Sequence, residues 1–209
     1  MSQAQDGAQA QDGARLLIVG PQGSGKGTQG VRIAEVVGVP AISTGDMFRA
    51  AISGGTELGE KVKAIIEAGD LVPDAVTSEV VSERLSQDDA AEGFLLDGYP
   101  RNLAQVSDLD AFLSGRGEQL DAVIELSVPR GESIDRLTRR AFEQGRTDDT
   151  EDVIANRLAI YERETAPILD VYRERGIVDV IDGVGSLDEI TERIVAALGA
   201  RGLIRTAAA

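Results

Sequence analysis

Cysteine and histidine are both missing from the 209 residues, and lysine occurs only at positions 26, 61 and 63. The chain therefore forms no disulfide, offers no thiolate or imidazole to a metal, and lacks the commonest general base. Carboxylate-held Mg²⁺ is the metal chemistry left open. Long apolar runs are missing too: none approaches the roughly 18 residues that a membrane-spanning helix needs. The first residues also lack the basic start and apolar middle of a signal peptide. The expectation is a cytoplasmic protein without a membrane partner. Positive charge is scarce, with 21 Lys and Arg against 36 Asp and Glu and a net charge of −15. Such a field repels a nucleic-acid backbone, so no nucleic-acid partner is expected, and any polyphosphate ligand has to meet a local positive pocket.

With 42% apolar residues, the chain can bury one α/β core, and a second full domain is not expected. QAQDGA at 3–8 repeats at 9–14 without a large apolar side chain, which reads as a disordered tail over 1–14. A single domain over 15–201 and a C-terminal tail over 202–209 complete the division. Short β-rich runs recur at 15–20, 39–43, 93–97, 121–128 and 177–182, separated by stretches of helical periodicity. Strands alternating with helices imply parallel pairing through right-handed crossovers. The expected fold is a three-layer α/β/α arrangement around a five-stranded parallel sheet, with ligands at the carboxyl ends of the strands. Two segments fit the core poorly. Residues 44–72 are helical but carry five glycines, and residues 139–150 are short, charged and interrupted by Gly145. Both read as excursions able to move over a ligand.

GPQGSGKGT at 20–28 directly follows the apolar run 16–19 and opens an amphipathic stretch, giving strand, glycine loop and helix. Glycines at 20, 23, 25 and 27 let successive N–H groups converge on phosphate oxygens, and the helix adds its positive end. Lys26 supplies a compact point charge in a chain that elsewhere prefers arginine. The general pattern asks for Ser or Thr right after the lysine, where this chain has Gly27 and then Thr28. A ligand-free glycine turn is the competing reading, disfavoured by the strand before and the helix after. Asp97 closes the apolar run 94–96, where a nucleotide-transferring fold keeps the carboxylate that holds Mg²⁺ or its waters. A plain turn aspartate before Gly98 is the alternative.

Four blocks, GPQGSGKGT, STGDMFR at 43–49, DGYPR at 97–101 and GRTDD at 145–149, together resemble adenylate kinase, over nearly everything from Arg15 to about Leu198. The resemblance implies reversible transfer of the γ-phosphoryl group of MgATP to AMP, giving two ADP, by a protein that is usually a monomer. It implies a P-loop fold with a helical AMP-binding excursion at about 43–72 and a short lid at about 140–150. Carried over by position, Gly23, Ser24, Gly25, Lys26, Gly27 and Thr28 bind ATP phosphates. Arg136 and Arg140 lie near ATP, and Gly185 falls where backbone meets its adenine. Thr44, Arg49, Arg101 and Gln105 hold AMP, with the backbone at Asp70, Leu71 and Val72 and the turn through Gly98, Tyr99 and Pro100. Arg146 and Arg157 reach the transferring phosphoryl, so Lys26, Arg101, Arg140, Arg146 and Arg157 form the catalytic set, and Asp97 holds Mg²⁺ through water.

Phosphoryl transfer through a loose transition state needs positive charge around the equatorial oxygens and aligned reactants, which a histidine-free chain can supply. Duller readings stand beside these roles. Arg49 lies three residues after Asp46, a surface helix pair worth about 0.2–0.5 kcal/mol. Asp148 with Glu151 reads as a capping box opening a helix that runs to Arg175. Arg157 has only apolar neighbours three and four residues away, as does Arg163. Departures from the family are Gln22 in place of a frequent proline and Tyr99 in place of a frequent phenylalanine. The short lid, without cysteine, holds no zinc. A UMP/CMP kinase shares the fold and the loop, but Gln105 favours adenine, since the pyrimidine enzymes typically carry asparagine there. A GTPase switch would need an NKxD-type motif, which the chain lacks.

Overall fold

Leu16, Leu17, Ile18 and Val19 are apolar on both faces, the pattern of a strand buried between two helical layers. In a computed structural model, which describes residues 13–144 and 150–204, they form β1 (Arg15–Val19) at the centre of a sheet. The other strands are β2 (Ala41–Ser43), β3 (Phe94–Asp97), β4 (Ala122–Ser127) and β5 (Val178–Asp182), all paired in parallel in the order β2-β3-β1-β4-β5. All five expected strands are present, each trimmed by up to two residues at an end. Chain order reverses around β1, between β3 and β4, so the loop after β1 opens at the switch point where open α/β sheets bind ligands.

Alternation along β1 sorts the core. Leu16 and Ile18 join Ile33 and Ala34 of α1 (Lys26–Val37) and Ile190, Ile194 and Leu198 of α9 (Leu187–Ala200). Leu17 and Val19 face the other layer. There they meet Val81 and Leu85 of α4 (Asp74–Leu85), Val106 and Leu109 of α5 (Leu103–Ser114), and Ile168 and Tyr172 of α8 (Ile168–Glu174). Ala14 is fully buried, so the tail expected over 1–14 enters the core at its last residue. Leu203 and Ile204, expected in a tail, pack against the α1–α9 layer.

The excursion after β2 contains α2 (Thr44–Ser53) and α3 (Glu57–Ala68) around a small apolar cluster of its own, Phe48, Val62 and Val72. Ser43 and Thr56 cap these helices by accepting from Asp46 and Gly59 N–H. α6 (Arg130–Gln144) extends well into the region expected to be a lid. α7 (Glu151–Ile160) is capped by Thr150, whose side chain accepts from Val153 N–H. Asp148, the expected cap, lies outside the described residues. The helix expected to run to Arg175 is interrupted by a π-helical turn at Tyr161–Thr165 before α8. Among the described residues, no helix is long and apolar enough to cross a membrane.

Candidate active site

The loop after β1 turns on glycine. Gly23 (φ 80°) and Gly25 (φ 95°) occupy the left-handed region that side chains avoid. A Cβ on Gly23 would lie 2.4 Å from the Ser133 carbonyl oxygen, so the loop is seated directly on α6. Gly25 is the N-cap of α1 and no side chain caps that end, which leaves first-turn N–H groups for an outside acceptor. Gly27 faces the Asp97 carboxylate, at 3.7 Å from its own Cβ direction to Oδ2. A Cβ at that distance would make only ordinary contact, so the departure from the general loop pattern is not forced by crowding at that carboxylate. Thr28 is exposed and Ser24 buried.

Lys26 Nζ donates to the carbonyls of Gly20 at 2.6 Å and Pro21 at 2.8 Å, curling back over its own loop. Burial pulls its ammonium down from 10.5 to about 8; Asp97 opposes that fall, while Arg101 and Arg140 add to it. Burial likewise raises the Asp97 carboxyl and lowers the Arg101 guanidinium, each tempered by its opposite charge. Three cations and a carboxylate therefore converge beyond the ends of β1 and β3, an arrangement completed by a polyanion.

On the other side, the turn after β3 carries a cis Tyr99–Pro100 peptide, with Gly98 at φ 86°. Thr44 Oγ1 donates to Gly98 O at 3.0 Å and Arg101 Nε donates to the same oxygen at 2.7 Å. Thr44, Gly98 and Arg101 are thus one unit, although 57 residues of chain span them. Gln105, fully buried, accepts from Arg101 N–H at 2.8 Å and donates to Asp74 at 2.7 Å. One amide proton and one acceptor lone pair of Gln105 remain for a ligand. Tyr99 Oη shares a hydrogen bond with Ser78 at 3.0 Å. Arg49 donates to Asp46 at 2.6 Å, the surface pair foreseen as its dull reading.

Asp70, Leu71 and Val72 form the corner between α3 and α4, and α7 lies against it. Arg157 Nη2 reaches the Ile66 carbonyl at 3.4 Å, a partner on another helix. On the donor side, Arg136 donates to Glu132 at 2.7 Å and to the Gly183 carbonyl at 3.0 Å, two residues before the exposed Gly185. Arg146 lies outside the described residues.

Two residues with a place in this geometry carry no functional mark in the sequence. Asp46 shares a pocket of about 190 Å³ with Asp97 and Gly27 and helps raise the Asp97 carboxyl. Its spacing marks it only as the helix partner of Arg49, though it sits inside the STGDMFR block. Asn156 bonds the excursion from α7, and no local pattern marks it. A second cavity of about 300 Å³ lies behind the phosphate loop, lined by Pro21, Glu125, Ser133 and Tyr161 among others.

Comparison with known proteins adds to this geometry. The family profile for adenylate kinase matches residues 18–177. A protein named adenylate kinase from Leifsonia xyli subsp. xyli is 57% identical over 90% of this chain and 95% of its own length. Its namesake from Kocuria rhizophila is 58% identical over 88% of this chain and 98% of its own length. A third, from Thermobifida fusca, is 50% identical over 90% and 99%.

Proposed function

The chain belongs to the adenylate kinase family and transfers the γ-phosphoryl group of ATP reversibly to AMP, giving two ADP; we propose that its residues divide this work as follows. The phosphate loop from Gly23 to Thr28 cradles the ATP phosphates, and Lys26 leaves its two loop carbonyls to meet them. Arg136 and Arg140 flank ATP, with Gly185 at the adenine. AMP lies opposite, held by Thr44, Arg49 and Arg101, the backbone at 70–72 and the turn from Gly98 to Pro100. The free amide positions of Gln105 read the adenine edge. The pyrimidine alternative is dropped, because the relatives are named adenylate kinase throughout.

The gathering of Asp97, Arg101 and Arg140 around Lys26, which is curled over the loop carbonyls of Gly20 and Pro21, carries this reading. A phosphoryl group passing through a loose transition state spreads charge over its equatorial oxygens, and preorganised cations stabilise that charge without rearrangement. Arg157 adds to this charge, and Arg146, outside the described residues, is assigned the same task by its place in the GRTDD block. Arginine suits the task because its planar fork engages two oxygens at once.

Mg²⁺ fits the residues present. Asp97 and Asp46 offer hard oxygen donors on one pocket wall. Among the described residues no group of three or more His, Cys, Asp or Glu stands ready as a metal cage, which suits an ion held largely by water and nucleotide phosphate. Bound there, the ion would neutralise charge on the nucleotide phosphates. Zinc has no role in this reading. The protein acts as a cytoplasmic monomer, without nucleic-acid or membrane partners.

A coupled assay of ADP formation from ATP with AMP, UMP, CMP or GMP tests the nucleotide choice. AMP is expected to be strongly preferred in wild type, and Gln105→Ala to weaken that preference far more than it weakens ATP binding. Equal losses for both nucleotides would overturn the role of Gln105.

A further inference from the structure

We infer that Asn156 is a positioning residue that fixes the acceptor-nucleotide corner to the helix carrying Arg157. Its Nδ2 group donates to the Ala68 carbonyl at 3.1 Å and to Asp70 Oδ1 at 2.9 Å. Both protons of one amide are thereby spent on consecutive parts of the corner between α3 and α4. Ala68 closes α3, so its carbonyl has no intrahelical partner, and Asn156 supplies one from outside.

The backbone at this junction leaves no slack. Gly69 sits at φ 79° as the C-cap of α3. A Cβ added there would lie 2.8 Å from Val153 Cγ1, 3.1 Å from Arg157 Cγ and 3.3 Å from the Val153 carbonyl oxygen. α7 is thus pressed directly onto the corner, and Val153, with Asn156 and Arg157 three and four residues further on, forms the contacting face. Arg157 adds its guanidinium to the Ile66 carbonyl, a cation at the negative end of α3.

The consequence is one of register. Asp70 leads into Leu71 and Val72, whose backbone lines the proposed AMP pocket, and Arg157 is the next residue after Asn156 along α7. A single amide therefore sets the distance between the wall of the acceptor pocket and a cation that meets the transferring phosphoryl. This inference rests on the reading that the 70–72 backbone meets AMP. A purely structural bond would cost stability when removed; a positioning bond costs acceptor binding in particular.

The test uses the full chain and steady-state kinetics on Asn156→Ala, Asn156→Asp and Asp70→Asn, with thermal melts alongside. Asn156→Ala is expected to raise KM for AMP about tenfold, the loss of one hydrogen bond to a charged acceptor, with KM for ATP changed less than about twofold. Asn156→Asp sets two carboxylates together and should raise KM for AMP further, while adding Asp70→Asn to it should recover part of the loss. Amide NMR of wild type titrated with AMP separates the two layers. If the Leu71 and Val72 amides do not respond to AMP, the underlying pocket reading fails. If they respond and Asn156→Ala leaves KM for AMP unchanged, or moves KM for ATP equally, the positioning role is overturned.

Discussion

The two halves of the site are built by different means. The donor half is local: Gly20, Gly23, Gly25 and Lys26 lie within seven consecutive residues, and Lys26 bonds carbonyls five and six residues behind it. The acceptor half is assembled from afar. Thr44 meets Gly98 across 54 residues, Gln105 meets Asp74 across 31, and Asn156 meets Asp70 across 86. A local loop inherits its geometry from backbone dihedrals and the central strand beneath it. An assembled pocket depends on several elements holding their positions together, so damage to any of them should be felt there first.

Removing the cation of the local half is expected to have the largest effect. Lys26→Ala should lower kcat about 10²–10³-fold, the scale of losing one preorganised donor to transition-state charge, while the melting temperature holds or rises. A rise has a physical reason, since the native state keeps this ammonium at about 8 against 10.5 in the unfolded chain. A large fall in melting temperature would instead make Lys26 a structural part of the loop and break the comparison.

Gly98→Ala strikes the assembled half. The new Cβ would lie 2.7 Å from Thr44 Oγ1 and 3.0 Å from Arg101 Nη2, at a φ of 86° that alanine resists. Strain of about 1–3 kcal/mol is expected, and kcat/KM for AMP should fall by roughly one to two orders of magnitude. KM for ATP should stay within about twofold if the halves are as separate as their construction suggests. Equal losses on both nucleotides would show them to be one unit.

How far each half could be read from the sequence follows the same division. The five strands and the phosphate loop were legible because apolar runs and glycine spacing are local signals. Thr44 follows a strand end, where ligands sit in such sheets, but Arg101 is marked only through resemblance to a family, and nothing near either one announces that both bond Gly98 O. Asp46 hid behind its helical pairing with Arg49, which is real in the structure. Asn156 and the π-helical turn were not legible at all, because both express the fit of α7 against distant elements. Thr150 caps α7 two residues after Asp148, because its hydroxyl, three residues before Val153, reaches that N–H.

A pH series sharpens the contrast by a smaller amount. Between about 8 and 10.5 the unfolded chain binds more protons at Lys26 than the native one, so this residue depresses stability fully below about pH 8, and the deficit is recovered as pH rises to about 10.5. Phosphate binding runs the other way, because a polyanion favours the charged ammonium. KM for ATP should therefore be flat below about pH 8 and rise by up to about tenfold per unit above it. Lys26→Arg should flatten that rise. An identical rise for AMP would assign the titration to a group shared by both halves.

The smallest effect belongs to the outer face of the excursion, and it isolates what matters on the acceptor side. Lys61 and Glu57 pair at 2.7 Å on α3, but their side chains are 68% and 85% exposed, so water and salt screen the attraction. Lys61→Ala should leave KM for AMP within about twofold, and its small effect on melting should fade as ionic strength rises. Asn156→Ala acts near the opposite end of the same helix, through one hydrogen-bonding group. If the acceptor pocket depended on the overall stability of α3, the two substitutions would act in proportion to their melting shifts. If it depends on the corner at Gly69 and Asp70, Asn156→Ala alone will move KM for AMP, whatever the melts say.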